Sequence, residues 1–409
     1  MAAKNGVTVV QDGVTIHDAV APSYRALRPL SDKSKGVFPV YKNLTEKLLK
    51  PEQPVDPERS HPDKTVAHVL ATCAAYSYSE ADTVATMMAR MGLKGNRCRA
   101  ISENVDAMFI ASTAYVVQSA DGRVVIVAYR GTQPTNLITW LTDVDLHPDK
   151  VEFNIGGRGP YDVHAGFYRN VRATRYKVAE VLDRARHGFA VTDPPDSGKP
   201  ERVNPMEALY VTGHSLGGAM AALMGIMIRT EDSYRDAFGS ALQAVYTFAQ
   251  PMIGSNALAD ACTADSFLKD NVIRYVYQRD PAPHTPPRDT GGFKHFGREY
   301  QFIGDRWRKN IAPARQAGSV LGILGVSVAA FIAHQFPLLG EIPFRYQFDD
   351  HGPQHYIRAL TPPGVTTEFG DQTYAAAKPT AEGSREYGSG AETRSRVLAP
   401  GWQPSESVS

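Results

Sequence analysis

The run Ala208-Leu209-Tyr210-Val211-Thr212-Gly213-His214-Ser215-Leu216-Gly217-Gly218-Ala219-Met220-Ala221-Ala222 decides how the rest of this chain is read. A β-prone apolar segment, Ala208 to Thr212, enters Gly213-His214-Ser215-Leu216-Gly217, and a small-residue helix former, Gly218 to Ile228, leaves it. A serine placed on so short a strand-to-helix link takes a strained backbone. Glycines at 213 and 217 let neighbouring main chain pass close to it. Gly218, Ala219, Ala221 and Ala222 let the helix approach a sheet closely. The helix start would aim its unpaired N–H groups and positive dipole end at the space over Ser215.

Working outward, strand and helix patterns alternate. Ala111 to Val117 and Arg123 to Tyr129, split by Ser119-Ala120-Asp121-Gly122, read as a strand hairpin whose second strand is apolar almost throughout, as a strand covered on both faces would be. Helices are expected from about Lys64 to Tyr76, from Glu80 to Met91, and from after Val163-His164-Ala165-Gly166-Phe167 to about Arg186. The turn Lys94-Gly95-Asn96-Arg97 closes the second of these. Ala244 to Ala249 and Val272 to Gln278 are further strands, the latter running straight into Arg279-Asp280-Pro281. This alternation predicts an α/β chain with a mostly parallel central sheet and helices on both faces. Residues 1–60 read as a leader with a small hairpin around Asp12-Gly13, residues 61–366 as the main domain, and residues 367–409, rich in Gly, Ser, Thr, Glu and Pro, as a disordered tail.

Composition narrows the classes. A chain of 409 residues with 43% apolar and 21% charged residues can bury a large core, and its net charge of +1 offers no basic stripe for nucleic acid. Three widely spaced cysteines, Cys73, Cys98 and Cys262, make neither a metal box nor a disulfide framework, so buried free thiols are expected. The start, Met1-Ala2-Ala3-Lys4-Asn5-Gly6-Val7, lacks the apolar core of a secretory signal, and a cytoplasmic location is the expectation.

Five pieces in order, Ala128-Tyr129-Arg130-Gly131-Thr132, Val163-His164-Ala165-Gly166-Phe167, Gly213-His214-Ser215-Leu216-Gly217-Gly218, Phe248-Ala249-Gln250-Pro251-Met252-Ile253-Gly254 and Arg279-Asp280-Pro281-Ala282-Pro283-His284, resemble the filamentous-fungal triacylglycerol lipase family, lipase class 3, among the α/β-hydrolases. The resemblance spans about residues 105 to 304, with a short piece near 351. It implies an α/β-hydrolase fold and a serine lipase or esterase that works through an acyl-enzyme with no metal or cofactor. A serine is a poor nucleophile unless a histidine takes its proton and a buried carboxylate holds that imidazole. The resemblance makes Ser215 the nucleophile and Asp280 the acid, with the base downstream of both. His284, His295, His334, His351 and His355 qualify by position. Asp349-Asp350-His351-Gly352-Pro353-Gln354-His355-Tyr356 looks like the family's Asp-His loop before a final helix, which favours His351 and leaves His355 as the alternative. Thr132 matches the family's oxyanion residue, and Leu216 would supply a second N–H. His214 is expected to pack beside the strand-to-helix turn at Ser215 and take no part in catalysis. The family's lid maps to about Asn136 to Leu141, where Leu137, Ile138, Trp140 and Leu141 could hide the site in water and spread on lipid.

The chain departs from the family between Arg306 and Phe348, where Ala317 to Ala333 is uncharged and apolar. Seventeen helical residues reach roughly 25 Å, short of a bilayer core near 30 Å, and one crossing there would separate His351 from Ser215. A buried helix or a flap over an acyl site fits better. The expected partners are lipid or ester substrates, with contact at a membrane or lipid-droplet surface possible and no nucleic acid. The competing expectations are a phospholipase A1 and a hydrolase-fold protein that binds lipid without catalysis.

Overall fold

The computed structural model describes residues 6–11, 14–20, 38–52, 62–105, 110–131, 148–193, 198–286, 292–310 and 348–370. Its frame is a ten-stranded sheet. In sheet order the strands are β1 (Gly6–Gln11), β2 (Val14–Val20), β3 (Arg97–Val105), β4 (Ile110–Gln118), β5 (Val124–Tyr129), β8 (Ala208–His214), β9 (Leu242–Phe248), β10 (Val272–Tyr277), β11 (Arg298–Ile303) and β12 (Arg306–Asn310). A separate two-stranded ribbon pairs β6 (Pro148–Val151) with β7 (Tyr161–His164). The central strands β5, β8, β9, β10 and β11 pair in parallel, and antiparallel strands flank them on both sides. The sheet is therefore mixed, with its parallel part at the centre.

The central strands are apolar because helices cover both faces. Along β5 the side chains alternate between two cores: Val125, Val127 and Tyr129 face one, and Val124, Ile126 and Ala128 face the other. The first core is closed by α4 (Ala165–Arg186), α5 (Leu216–Thr230), α6 (Asp232–Phe238), α7 (Asn256–Ala264) and α8 (Ser266–Asn271). The second is closed by α1 (Leu44–Leu49), α2 (Lys64–Tyr76), α3 (Ala81–Met91) and the last described helix, α9 (Pro353–Leu360). Val66, Val69, Leu70 and Cys73 place the apolar face of α2 under the sheet, while Asp63 accepts the amides of Thr65 and Val66 and so caps its start.

Two strands differ from the sequence pattern. The segment taken as a turn, Lys94 to Arg97, leads straight into β3, a strand carrying Arg97, Arg99 and Glu103. Arg99 is buried there because Asp18 of β2 meets its guanidinium in a two-pronged pair, both bonds 2.7 Å, and Asp193 adds a second carboxylate at 2.6 Å. The N-terminal hairpin is thus bonded into the main sheet, Ile16 opposite Ile101. At the other edge, β12 follows β11 through a tight turn, and Trp307 donates its indole N–H to the carbonyl of Ala359 in α9. The three cysteines are free and buried. Among the described residues no helix is long and apolar enough to cross a membrane, and no cluster of His, Cys, Asp and Glu could hold a metal ion. The apolar run 317–333 and residues 371–409 lie outside the described residues.

Candidate active site

Ser215 stands between β8 and α5 with φ 59° and ψ −127°, a conformation rarely adopted by a residue that bears a Cβ. Its surroundings hold it there. The Ser215 amide donates to the carbonyl of Phe248 on β9 at 2.9 Å. A Cβ added at Gly213 would strike the carbonyl of Gly217, and one added at Gly217 would strike the carbonyl of Tyr129 on β5. The elbow therefore fits only with glycine at both places. Leu216 begins α5, so its N–H is one of those with no acceptor inside the helix.

Two other segments meet the elbow. Asp280 follows β10, its amide bonded to the carbonyl of Tyr277 at 3.0 Å. His351 ends the short 3₁₀ turn Phe348–His351 just before α9. The His351 imidazole bridges them. Its Nδ1 lies 2.9 Å and 3.1 Å from the two Asp280 carboxylate oxygens, and its Nε2 lies 2.9 Å from Ser215 Oγ. An Nδ1–H donated to the carboxylate leaves Nε2 as an acceptor for the serine hydroxyl. All three side chains are buried to 1% exposure or less.

The Asp280 carboxylate is fully partnered. Beyond His351, Oδ1 accepts the amide of Ala282 at 2.9 Å and Oδ2 accepts the phenol of Tyr356 at 2.6 Å. Burial and the Asp280 charge push the Tyr356 phenol well above its ordinary pKa, so it remains a donor. The amide of Tyr277 donates in turn to the Tyr356 oxygen at 3.0 Å. Asp350 anchors the histidine loop by accepting the amide of Arg279 at 3.1 Å.

The remaining histidines are elsewhere. His355 stacks on Tyr277, ring centres 5.3 Å apart, and His295 sets its Nε2 2.7 Å from the carbonyl of Pro283. His284 sits in the one-turn 3₁₀ segment Ala282–His284 that follows Asp280. His214 points into the protein, its Nδ1 2.9 Å from the Tyr78 hydroxyl. Thr132, the segment bearing Leu137, Ile138, Trp140 and Leu141, and His334 all lie outside the described residues. Tyr356 was given no role by the sequence. Its signal is the face formed by Tyr356, Ile357 and Leu360 of α9, the buried side of an amphipathic helix. Nothing local marks Tyr78 as the partner of His214, since 136 residues separate them.

A serine on a strand-to-helix elbow, an acid after a later strand and a histidine before the last helix, in that order on a sheet with a parallel centre, define an α/β-hydrolase fold. Residues 126–290 match the profile of the family described as Lipase (class 3). It is 28% identical over 196 residues to triacylglycerol lipase OBL1 of Arabidopsis thaliana, covering 43% of this chain and 37% of that one. With the secreted mono- and diacylglycerol lipase 1 of Fusarium solani it shares 26% identity over 191 residues, 47% of each. The chain therefore spans less than half the length of these two relatives. A solved lipase from Rhizopus microsporus var. chinensis superposes with a TM-score of 0.47 at 19% identity, over 72% of this chain and 87% of that one.

Proposed function

We propose that this protein hydrolyses carboxylic esters of lipids, acylglycerols first among them, through an acyl-enzyme on Ser215. The observation that carries the reading is the bridge made by one buried imidazole, His351, 2.9 Å from Ser215 Oγ and 2.9 Å from Asp280. In this reading His351 Nε2 takes the hydroxyl proton as Oγ bonds to the ester carbonyl carbon. The imidazolium returns that proton to the departing alcohol oxygen as the carbon–oxygen bond breaks. Water then repeats both steps and releases the fatty acid. Asp280 holds the Nδ1–H tautomer and faces the positive charge that forms on the ring. The Leu216 N–H, at the start of α5, is one oxyanion donor, and Thr132 is assigned as the other.

Ser215 has no exposed surface, so an ester reaches it only after its cover moves. Leu137, Ile138, Trp140 and Leu141 are assigned to that cover, as a lid that opens on lipid. The test is the initial rate on p-nitrophenyl esters from acetate to palmitate, below and above substrate aggregation, for the wild type and Ser215→Ala. Serine-dependent rates that rise on long-chain aggregates support a lipase with an interfacial lid. No serine-dependent turnover of any ester sinks the reading.

A further inference from the structure

The elbow carries two histidine contacts, and the reaction above uses one. His214, directly before the nucleophile, is buried to 2% exposure, with its ring centre 4.8 Å from that of His351 at a tilt of 46°. A second imidazole so close to a catalytic base is a liability, because two cationic rings at that spacing repel. Whichever ring takes the first proton makes the other harder to charge.

The surroundings of His214 answer the problem. Nδ1 lies 2.9 Å from the hydroxyl of Tyr78, which comes from the turn after α2 and meets the ring edge-on, centres 5.8 Å apart. Nε2 is buried, has no hydrogen-bond partner, and faces the main chain of His351 outside bonding geometry. The Tyr356 ring closes a third side at 5.6 Å. The charged or titratable groups around His214 are therefore Tyr78, His351 and Tyr356, with Asp280 behind His351 and Arg130 near Tyr78. Gly131 lies against the same hydroxyl: a Cβ there would strike both Tyr78 Oη and the His214 carbonyl. The Tyr78 hydroxyl thus touches the elbow and the turn that leads to residue 132.

We propose that Tyr78 and His214 form a positioning pair for His351, in which the phenol donates its proton to His214 Nδ1, fixes that ring as the uncharged Nε2–H tautomer, and so leaves His351 as the imidazole that takes up a proton in the site. The proposal rests on the hydrolase reading for its consequence and on geometry for its content. Burial, and next the neighbouring His351, lower the His214 pKa well below its ordinary value, in keeping with an uncharged ring. Burial likewise raises the Tyr78 phenol, which keeps its proton to give. A hydrogen bond received at Nδ1 exists only while that nitrogen is unprotonated, so it too holds the ring neutral. Removing it raises the His214 pKa.

The direct test is the 15N spectrum of histidine-labelled wild-type protein from pH 5 to 8. The expected result is one ring with an unprotonated, hydrogen-bonded Nδ1 and a protonated Nε2 across the range, assigned to His214 by its loss in His214→Gln. A His214 ring protonated at Nδ1, or cationic in that range, overturns the proposal. The kinetic test is Tyr78→Phe with a soluble butyrate ester. We expect kcat to fall about tenfold, the effect of one lost hydrogen bond, with KM unchanged. The acid limb of kcat/KM should also move to lower pH and broaden, because a proton taken by His214 makes His351 harder to charge. In a His214→Gln background, where nothing at 214 titrates, adding Tyr78→Phe should no longer move the limb. A uniform fall in rate with an unmoved limb in Tyr78→Phe marks a purely structural role and overturns the pair. Failure of the hydrolase reading is separable: wild-type Ser215 then resists a fluorophosphonate probe, while the nitrogen spectrum still reports the tautomer.

Discussion

The Tyr356 hydroxyl and the Asp280 carboxylate lie 2.6 Å apart in a site with almost no exposed surface, and the same hydroxyl oxygen accepts the amide of Tyr277. One phenol thus couples α9 to the acid and to the end of β10. Tyr356→Phe removes a donor to a buried charge and leaves the Tyr277 N–H without its acceptor. A hydrogen bond to a charged group is worth about 1.5–3 kcal/mol, so kcat on a soluble ester should fall about 10–100-fold, with KM little changed. Steady-state kinetics on the folded variant check this, and an unchanged kcat removes Tyr356 from the site's support.

Asp280→Asn keeps the shape of the site and replaces an acceptor-only group with an amide. The amide can donate to Nδ1 and turn His351 to the tautomer whose Nε2–H points at Ser215. The expected loss is about 10⁴ in kcat, as for the equivalent change in a serine-protease triad. Active-site titration alongside the rate separates this from unfolding.

Gly217→Ala places a methyl group against the main-chain carbonyl of Tyr129, where neither side can yield without moving β5 or α5. Overpacking of this kind costs typically 1–3 kcal/mol, and a backbone neighbour puts Gly217 at the upper end or beyond. The urea midpoint should drop, while an alanine at exposed, open Gly156 should affect packing far less.

Arg274 and Glu299 form a fully buried ion pair between β10 and β11 at 2.8 Å, with Arg274 also donating to the carbonyl of Phe296. Arg274→Ala takes the guanidinium away from a buried carboxylate and should destabilise the fold by about 3–5 kcal/mol, whereas Arg274→Met with Glu299→Leu should recover most of that loss. Equilibrium denaturation of the single and double variants tests both halves.

His68 of α2 sets its ring nitrogens against the hydroxyls of Tyr41 and Thr361, and burial lowers its pKa from 6.5 to about 3. The unfolded chain binds the proton more tightly than the folded one. The stability conferred by the neutral ring is therefore complete above about pH 6.5 and declines as pH falls from there toward 3, by roughly 1.4 kcal/mol per unit. His68→Gln should flatten this acid slope in thermal melts between pH 6 and 4. An equal slope in both proteins assigns the acid sensitivity to other groups.

What the sequence made legible has a common physical basis. Gly213, Ser215 and Gly217 encode a turn whose requirements are local, and the unbroken apolar runs Val124–Tyr129 and Ala208–Thr212 announce strands covered on both sides. Asp280 and His351 were placed through their surrounding motifs, and their distances to each other and to Ser215 are now explicit. What escaped depends on distant partners. Arg97, Arg99 and Glu103 disguise β3 as a polar turn, because Arg99 is tolerable inside only when Asp18, 81 residues earlier, faces it. The bond from Tyr78 to His214 and the β12 latch of Trp307 on Ala359 are likewise invisible to any window of sequence.

The backbone of Ser215 has a consequence for the order in which the chain folds. Its left-handed conformation is held by the carbonyl of Phe248 on β9 and by the space that Gly217 leaves beside Tyr129 on β5. β9 follows β8 only through a helical crossover, β5 precedes it by way of the β6–β7 ribbon and α4, and both pair with it in parallel, so no tight hairpin brings them together early. A nascent β8 with nothing beside it has no reason to keep the serine at φ 59°. The nucleophile acquires its geometry only when the centre of the sheet closes, and its histidine arrives later still, from a segment synthesised after every described strand of the sheet. A chain halted in biogenesis at residue 310 would carry the ten described strands and no base at Ser215.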